Sequence, residues 1–115
     1  MPELAEGNRQ NFIAVLEEGA RFPGYVVYEK DSRKDLETFL PGWSEQGVTQ
    51  QLLAYAQAGG KISRNEEQRD EWRDRWRFCY HLWPTIDGQP LYFEARFDDR
   101  DPQDPVIRIV RIHFP

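Results

Sequence analysis

The chain has 115 residues, a net charge of −5, 39% hydrophobic residues and 14% aromatic residues. This length fits a single domain, residues 1–115, and the aromatic content excludes a disordered chain, which would be poor in rings. No apolar run is long enough to cross a bilayer, and the first residues lack the basic and apolar regions of a signal peptide. We therefore expect a cytoplasmic protein with no membrane partner.

Acidic residues are concentrated in the first half of the chain. Residues 1–60 carry five basic and nine acidic side chains, whereas residues 61–115 carry ten and eleven. Nucleic-acid binders usually have an excess of Lys and Arg, so this balance counts against that class unless the arginines gather on one surface. The single cysteine, Cys79, excludes an internal disulfide and a cysteine-based zinc site.

The first 60 residues predict three helices and one short strand. Asn8 is a suitable N-cap for a first helix that Gly19 closes. Residues 25–28 have the aromatic and β-branched content of a strand. The expected ends of the other two helices are Asp31 or Ser32 to Pro41-Gly42, and Thr49 to Gly59-Gly60.

Residues 61–75 are dense in charge and fit either a helix or a charged loop. From residue 72 onward, larger rings and aliphatic side chains alternate with polar ones, which is the two-residue period of a strand. The two rows are Trp72, Asp74, Trp76, Phe78, Tyr80 and Leu82, and Arg73, Arg75, Arg77, Cys79 and His81. We expect this strand to begin near Arg73.

Two more strands follow. A turn at Asp87-Gly88 leads into a strand whose apolar face holds Leu91, Phe93, Ala95 and Phe97, and whose polar face holds Tyr92, Glu94 and Arg96. Residues 98–105 are turn-rich and acidic, which predicts a connecting loop or, alternatively, a docking loop for a basic partner. In the last strand we expect Val106, Val110, Ile112 and Phe114 to face the core, with Arg108 as the exception.

Helices followed by a C-terminal three-stranded meander predict an α+β fold. The expected architecture is one domain with helices packed on one face of an antiparallel sheet. Trp43 and Trp83 lie in loop-like sequence, so they are the two tryptophans expected at the surface.

The polar side of the meander is the candidate functional site. Metal-independent RNA cleavage needs groups that take and give protons and cations that stabilise the phosphorane. The candidate catalytic residues are His81, Glu94, Arg96, Arg111 and His113, and the candidate binding residues are Arg75, Arg77 and Tyr92. The alternative is a solvated sheet face held together by cross-strand ion pairs.

We expect no metal and no other cofactor. His81 and His113 lack a third ligand at metal spacing, which makes them a weak metal signal. Cys79 falls on the same row as His81, so an activated thiolate is conceivable, but no orienting third residue is identifiable. An inert, partly buried thiol is the simpler interpretation.

Several segments together resemble known toxins: the helix at 49–58 with Gly59-Gly60, residues 76–80 (WRFCY), residues 88–94 (GQPLYFE) and residues 107–110 (IRIV). In layout they are similar to small bacterial toxins of the RelE and MqsR-like mRNA interferase group. The resemblance covers about half of the chain. It implies RNA cleavage by Arg, His, Tyr or Glu side chains on the sheet, with an antitoxin as protein partner.

The competing hypothesis is a non-catalytic interaction module. An acidic protein of this size can bind and block a basic protein surface, as inhibitors, antitoxins and immunity proteins do. The excess of acidic residues in 1–60 supports this hypothesis. The expected partners are therefore RNA in the first case and a target protein in the second.

Overall fold

The computed structural model describes residues 4–66, 68–69, 76–98, 103 and 105–115. Across these ranges it has three helices and seven strands in an α+β arrangement, as predicted. The elements are α1 (Glu6–Arg21), β1 (Val26–Tyr28), α2 (Lys30–Phe39), α3 (Glu45–Gln57), β2 (Ile62–Glu66), β3 (Phe78–Leu82), β4 (Thr85–Ile86), β5 (Gln89–Pro90), β6 (Tyr92–Asp98) and β7 (Val106–His113).

The main sheet has five strands in the order β1-β7-β6-β3-β2. The predicted antiparallel meander of β3, β6 and β7 is confirmed, and β2 adds to it antiparallel to β3. β1 pairs in parallel with β7, which the sequence did not predict because that pairing joins segments about 80 positions apart. β4 and β5 form a separate ribbon whose turn places Asp87 and Gly88 at φ 53° and 75°.

One face of the sheet packs against α1 and α3. Phe12 and Leu16 of α1 and Leu52 of α3 are fully buried with Phe93 and Ile109 of the sheet. α2 instead runs beside β7 beyond the end of β1, where Asp35 Oδ2 accepts the Ile112 N–H at 2.8 Å. No helix in the described part of the chain combines the length and apolar character needed to span a membrane.

The predicted helix starts need correction. α1 begins at Glu6 rather than after Asn8, and α2 follows Glu29, in both cases without a side-chain cap. α3 begins at Glu45 because the Ser44 hydroxyl accepts the Gly47 N–H at 2.9 Å. Its end at Gln57, just before Gly59 with φ 89°, agrees with the predicted stop at Gly59-Gly60.

Gly19 does not end α1. It lies inside the helix because the helix approaches β1 there: a Cβ at Gly19 would come within 2.5 Å of Val26 Cγ2. The glycine therefore serves close packing, and the helix continues to Arg21.

The predicted core face of β7 is only partly correct. Val110 and Ile112 are buried as predicted, whereas Val106 is half-buried and Phe114 is 55% exposed. Ile107 and Ile109, which were not in the predicted set, are fully buried in the core. The register changes from Glu94↔Arg111 to Ala95↔Ile109, so Val110 is an extra residue in a β-bulge. A bulge shifts the alternation by one, so a uniform period of two assigns the wrong face on one side of it.

The segment before β3 is only partly described. Residues 62–66 form β2, so both the helix and the charged-loop interpretations are wrong there. β3 starts at Phe78, and the predicted start near Arg73 lies outside the described residues, as do Trp72 and most of the acidic loop between β6 and β7. Trp76 precedes the strand and is buried, which differs from its predicted place inside it.

Candidate functional site

Side chains on the sheet face opposite α1 and α3 form three cross-strand rows, here called the polar face. The first row contains Asn65, Cys79, Arg96 and Arg108. The second contains Ser63, His81, Glu94 and Arg111. The third contains Trp83, Tyr92 and His113, joined by ring contacts. The pairing of β3, β6 and β7 thus brings together six of the predicted site residues: His81, Tyr92, Glu94, Arg96, Arg111 and His113.

His81 is held from both sides of its ring. Asn65 donates its amide N–H to the Glu66 carbonyl at 3.1 Å, which turns Asn65 Oδ1 toward His81 Nε2 at 2.5 Å. Because a carbonyl oxygen only accepts, Nε2 carries hydrogen. Nδ1 of the neutral ring is then the acceptor for the Tyr92 hydroxyl, to which it is bonded.

The Tyr92 hydroxyl stays protonated over the physiological range. Burial raises its pKa to about 12, and the negative charge of Glu94 acts in the same direction. The phenol is therefore a hydrogen donor, and its orientation is set by His81. The ring itself is half-buried, so one side remains accessible.

Arg96 is fully buried, which the alternation alone did not predict. Its Nη1 donates to Cys79 Sγ at 3.0 Å and to the Ala95 carbonyl at 3.2 Å, and its Nη2 lies 3.7 Å from Glu94 Oε2. The other Glu94 oxygen pairs with Arg69 at 2.5 Å. This network places Arg96 behind Glu94, where it supports the site and does not contact solvent.

Arg111 pairs with a residue of α2. Its Nε and Nη2 donate to the two carboxylate oxygens of Asp35 at 2.9 and 3.4 Å, and this bond raises the pKa of Arg111 above its usual value. The side chain remains 48% exposed. A guanidinium has five N–H donors, so Asp35 leaves others for an anion.

His113 is the exposed histidine of the polar face. Its Nδ1 donates to the Phe114 carbonyl at 2.8 Å, which leaves Nε2 as the acceptor nitrogen of the neutral ring. The ring lies 4.7 Å from the Tyr92 ring, centroid to centroid. Trp83, half-buried as expected of a surface tryptophan, lies 5.7 Å from Tyr92 on the other side.

One predicted binding residue, Arg77, lies apart from this group. It is exposed, and its guanidinium lies 5.0 Å from the Phe78 ring centroid. Arg75 lies outside the described residues. Asn65 and Arg69 were missed because residues 61–75 gave no clear strand pattern. The alternation of Ile62, Arg64 and Glu66 with Ser63 and Asn65 was the available signal, and it was weak because only Ile62 is apolar.

The described side chains do not indicate a metal site or a reactive thiol. Within the described ranges, no three His, Cys, Asp or Glu side chains are grouped so that they could hold a metal ion. Cys79 is buried under Arg96 and not exposed to a substrate.

No family model, curated protein or solved structure matches the chain. The geometry of the polar face is therefore the basis for proposing a function.

Proposed function

We propose that the protein is a small toxin-like endoribonuclease that cleaves RNA without a metal, at the polar face. The observation that carries the proposal is the pairing of His113 with Tyr92 across β6 and β7. It sets an exposed imidazole 4.7 Å from a phenol ring whose hydroxyl is oriented by His81. Two proton-transfer groups within one substrate's reach are what such cleavage requires.

His113 is the general base in this proposal. Its Nε2 takes the proton of a ribose 2′-hydroxyl, whose oxygen then attacks the adjacent phosphorus and forms a 2′,3′-cyclic phosphate. The bond from phosphorus to the 5′-oxygen breaks, and that oxygen leaves with a proton. The Phe114 carbonyl supports the base, because its bond to Nδ1–H stabilises the imidazolium that forms.

Tyr92 supplies the proton to the leaving oxygen. An alkoxide is far more basic than a phenolate, so the transfer runs downhill even from a phenol whose pKa is about 12. When His81 takes a proton from water at Nδ1, its bond with Tyr92 is reversed, and the phenolic hydrogen becomes free for the substrate. Glu94, directly opposite His81 in the sheet, favours that charged ring.

Arg111 and Arg69 flank Glu94 and are 48% and 42% exposed. Each can donate to a phosphate oxygen while keeping its carboxylate partner, which offsets the charge that develops on the phosphorane. Arg96 is buried, so its role in the proposal is to position Glu94.

The test is cleavage of a labelled RNA oligonucleotide in the presence of EDTA. The double variant His113→Ala with Arg111→Ala should lose activity by about 100-fold or more while remaining folded. Arg33→Ala, which removes an exposed cation of α2, is the matched control and should cleave as the parent does. Full activity in the double variant would overturn the site.

A second candidate function is favoured by the internal neutralisation of the polar face. Arg111 is paired with Asp35, Arg108 with Glu29 and Arg96 with Glu94. The chain as a whole carries a net charge of −5, which suits a non-catalytic module that binds a basic protein such as a toxin or other target. A clean preparation without ribonuclease activity that forms a tight complex with a basic protein would favour this function.

A further inference from the structure

We infer that the substrate of the polar face is single-stranded RNA, held by unpaired bases stacked on the third row, Trp83, Tyr92 and His113. This inference rests on the proposed ribonuclease function and adds the class of RNA. Behind the row, the buried ring of His81 is stacked 6.2 Å from Trp83 at 28°. The half-buried and exposed rings of the row itself cover a span comparable with that of adjacent bases.

The row is held in place from α3. The Tyr55 hydroxyl donates to the Lys61 carbonyl at 2.5 Å and accepts from the backbone N–H of Trp83 at 3.3 Å. The Tyr55 ring in turn covers Gly60, where any side chain would collide with it. A platform fixed before binding loses little conformational freedom when a base stacks on it.

The charge around the third row disfavours the binding of duplex RNA. The protein carries a net charge of −5, and among the described residues the cations beside the row are Lys61, whose ammonium lies 5.5 Å from the Trp83 centroid, and the partly neutralised Arg69 and Arg111. Binding to duplex nucleic acid depends mainly on many phosphate contacts. This surface instead offers stacking, which only unpaired bases can use because the base faces in a duplex are covered.

Lys61 is placed near both the stacked base and the phosphate of a bound nucleotide. Its ammonium lies over the half-buried Trp83 ring, and because the Lys61 side chain is exposed it can move aside when a base stacks there. The ammonium then remains within reach of the phosphate attached to that base. Its contribution should appear as a shallow salt dependence of binding.

The experiment is fluorescence anisotropy with a labelled 2′-O-methyl RNA of about eight nucleotides, within the range of single-strand site sizes. The methyl group blocks cleavage, so binding is measured alone. The single strand should bind at least about tenfold more tightly than its blunt duplex. The logarithm of the binding constant should fall with the logarithm of salt with a slope of only about −2.

Trp83→Ala should weaken single-strand binding by about tenfold, whereas Trp43→Ala, at the half-buried tryptophan between α2 and α3, should leave it unchanged. Trp83→Phe keeps a ring and should retain most of the affinity. If Trp83→Ala does not fold, the affinities of the parent protein for the single strand and for the duplex decide whether the inference holds.

Cleavage of ordinary RNA is measured in parallel. Equal binding of duplex and single strand, or unchanged binding by a folded Trp83→Ala, overturns this inference even if cleavage is observed. Selective single-strand binding without any cleavage supports the stacking row and overturns the ribonuclease.

Discussion

Asn65 fixes the hydrogen of His81: its amide oxygen lies 2.5 Å from Nε2, and the opposite ring nitrogen is bonded to the Tyr92 hydroxyl. These bonds form a chain across β2, β3 and β6. A substitution of Asn65, which is not proposed to contact the substrate, should therefore alter the hydrogen bonding of Tyr92.

Asn65→Leu should lower the cleavage rate by about 10- to 100-fold, the range observed for residues that orient functional histidines. The alkaline limb of the pH–rate profile should move to lower pH, because the proposed proton transfer needs the charged His81 ring and Asn65 Oδ1 accepts a hydrogen bond from that ring. The loss of one hydrogen bond should lower the free energy of unfolding by only about 1 kcal/mol. Asn11→Leu, at an exposed position of α1, is the control. An unchanged rate and pH profile would contradict the positioning role.

Alkaline pH should destabilise the protein through Tyr92. Its pKa is raised from 10.0 to about 12 in the folded state, so the stabilisation from the protonated phenol is complete below pH 10 and is lost as the pH rises to 12. Burial also raises the pKa of Tyr28, which acts in the same direction. In urea unfolding across this pH window, the free energy of unfolding should depend less on pH in the double variant Tyr28→Phe with Tyr92→Phe than in the parent protein. An identical slope would be inconsistent with the raised values.

Arg96 should be the most costly polar residue to replace. Arg96→Met keeps the length of the side chain but leaves Glu94, 13% exposed, without its inner partner. The expected loss is about 3–5 kcal/mol of unfolding free energy. Adding Glu94→Gln to Arg96→Met should recover part of this loss. Arg64→Met, which removes a cation 4.0 Å from the Phe78 ring centroid, should cost only about 0.5–1 kcal/mol. Similar losses for the two arginine variants would show that Arg96 is not in a buried ion network.

Two glycines of α1 should respond in opposite directions to alanine. Gly19→Ala places a Cβ within 2.5 Å of Val26 Cγ2 and should cost about 1–3 kcal/mol through overpacking. At Gly7 no atom lies within 4 Å of the new Cβ, so Gly7→Ala should stabilise the helix by about 0.5–1 kcal/mol. Thermal unfolding of the two variants measures both effects. Shifts of the same sign would show that α1 does not approach β1 as closely as described.

Local patterns predicted the α+β class, the meander and much of the polar face. Alternation in β3 and β6 is a property of neighbouring residues, so it correctly placed His81 with Glu94 and Tyr92 with Arg96. The Asp87-Gly88 turn was visible for the same reason. The function drawn from these residues stays a proposal.

Longer-range features were not accessible from the sequence. The bond between Arg111 and Asp35 joins residues 76 positions apart, and the burial of Arg96 depends on how other segments cover it. The bulge at Val110 reversed the assignment of Ile107 and Ile109 because a single unpaired residue leaves no mark on composition. Ala5 and Glu29 precede helices without side-chain caps, so the usual start signal was missing.

The most direct test of the account is the chemistry of the RNA ends that the protein produces in EDTA. Proton transfer by His113 and Tyr92 predicts a 2′,3′-cyclic phosphate and a 5′-hydroxyl, and no cleavage where the 2′-hydroxyl is replaced by hydrogen. His113→Ala and Tyr92→Phe should each slow the appearance of these ends by about 100-fold. Ends carrying a 5′-phosphate, cleavage at a 2′-deoxy position, or no cleavage by the parent protein would contradict the proposed function.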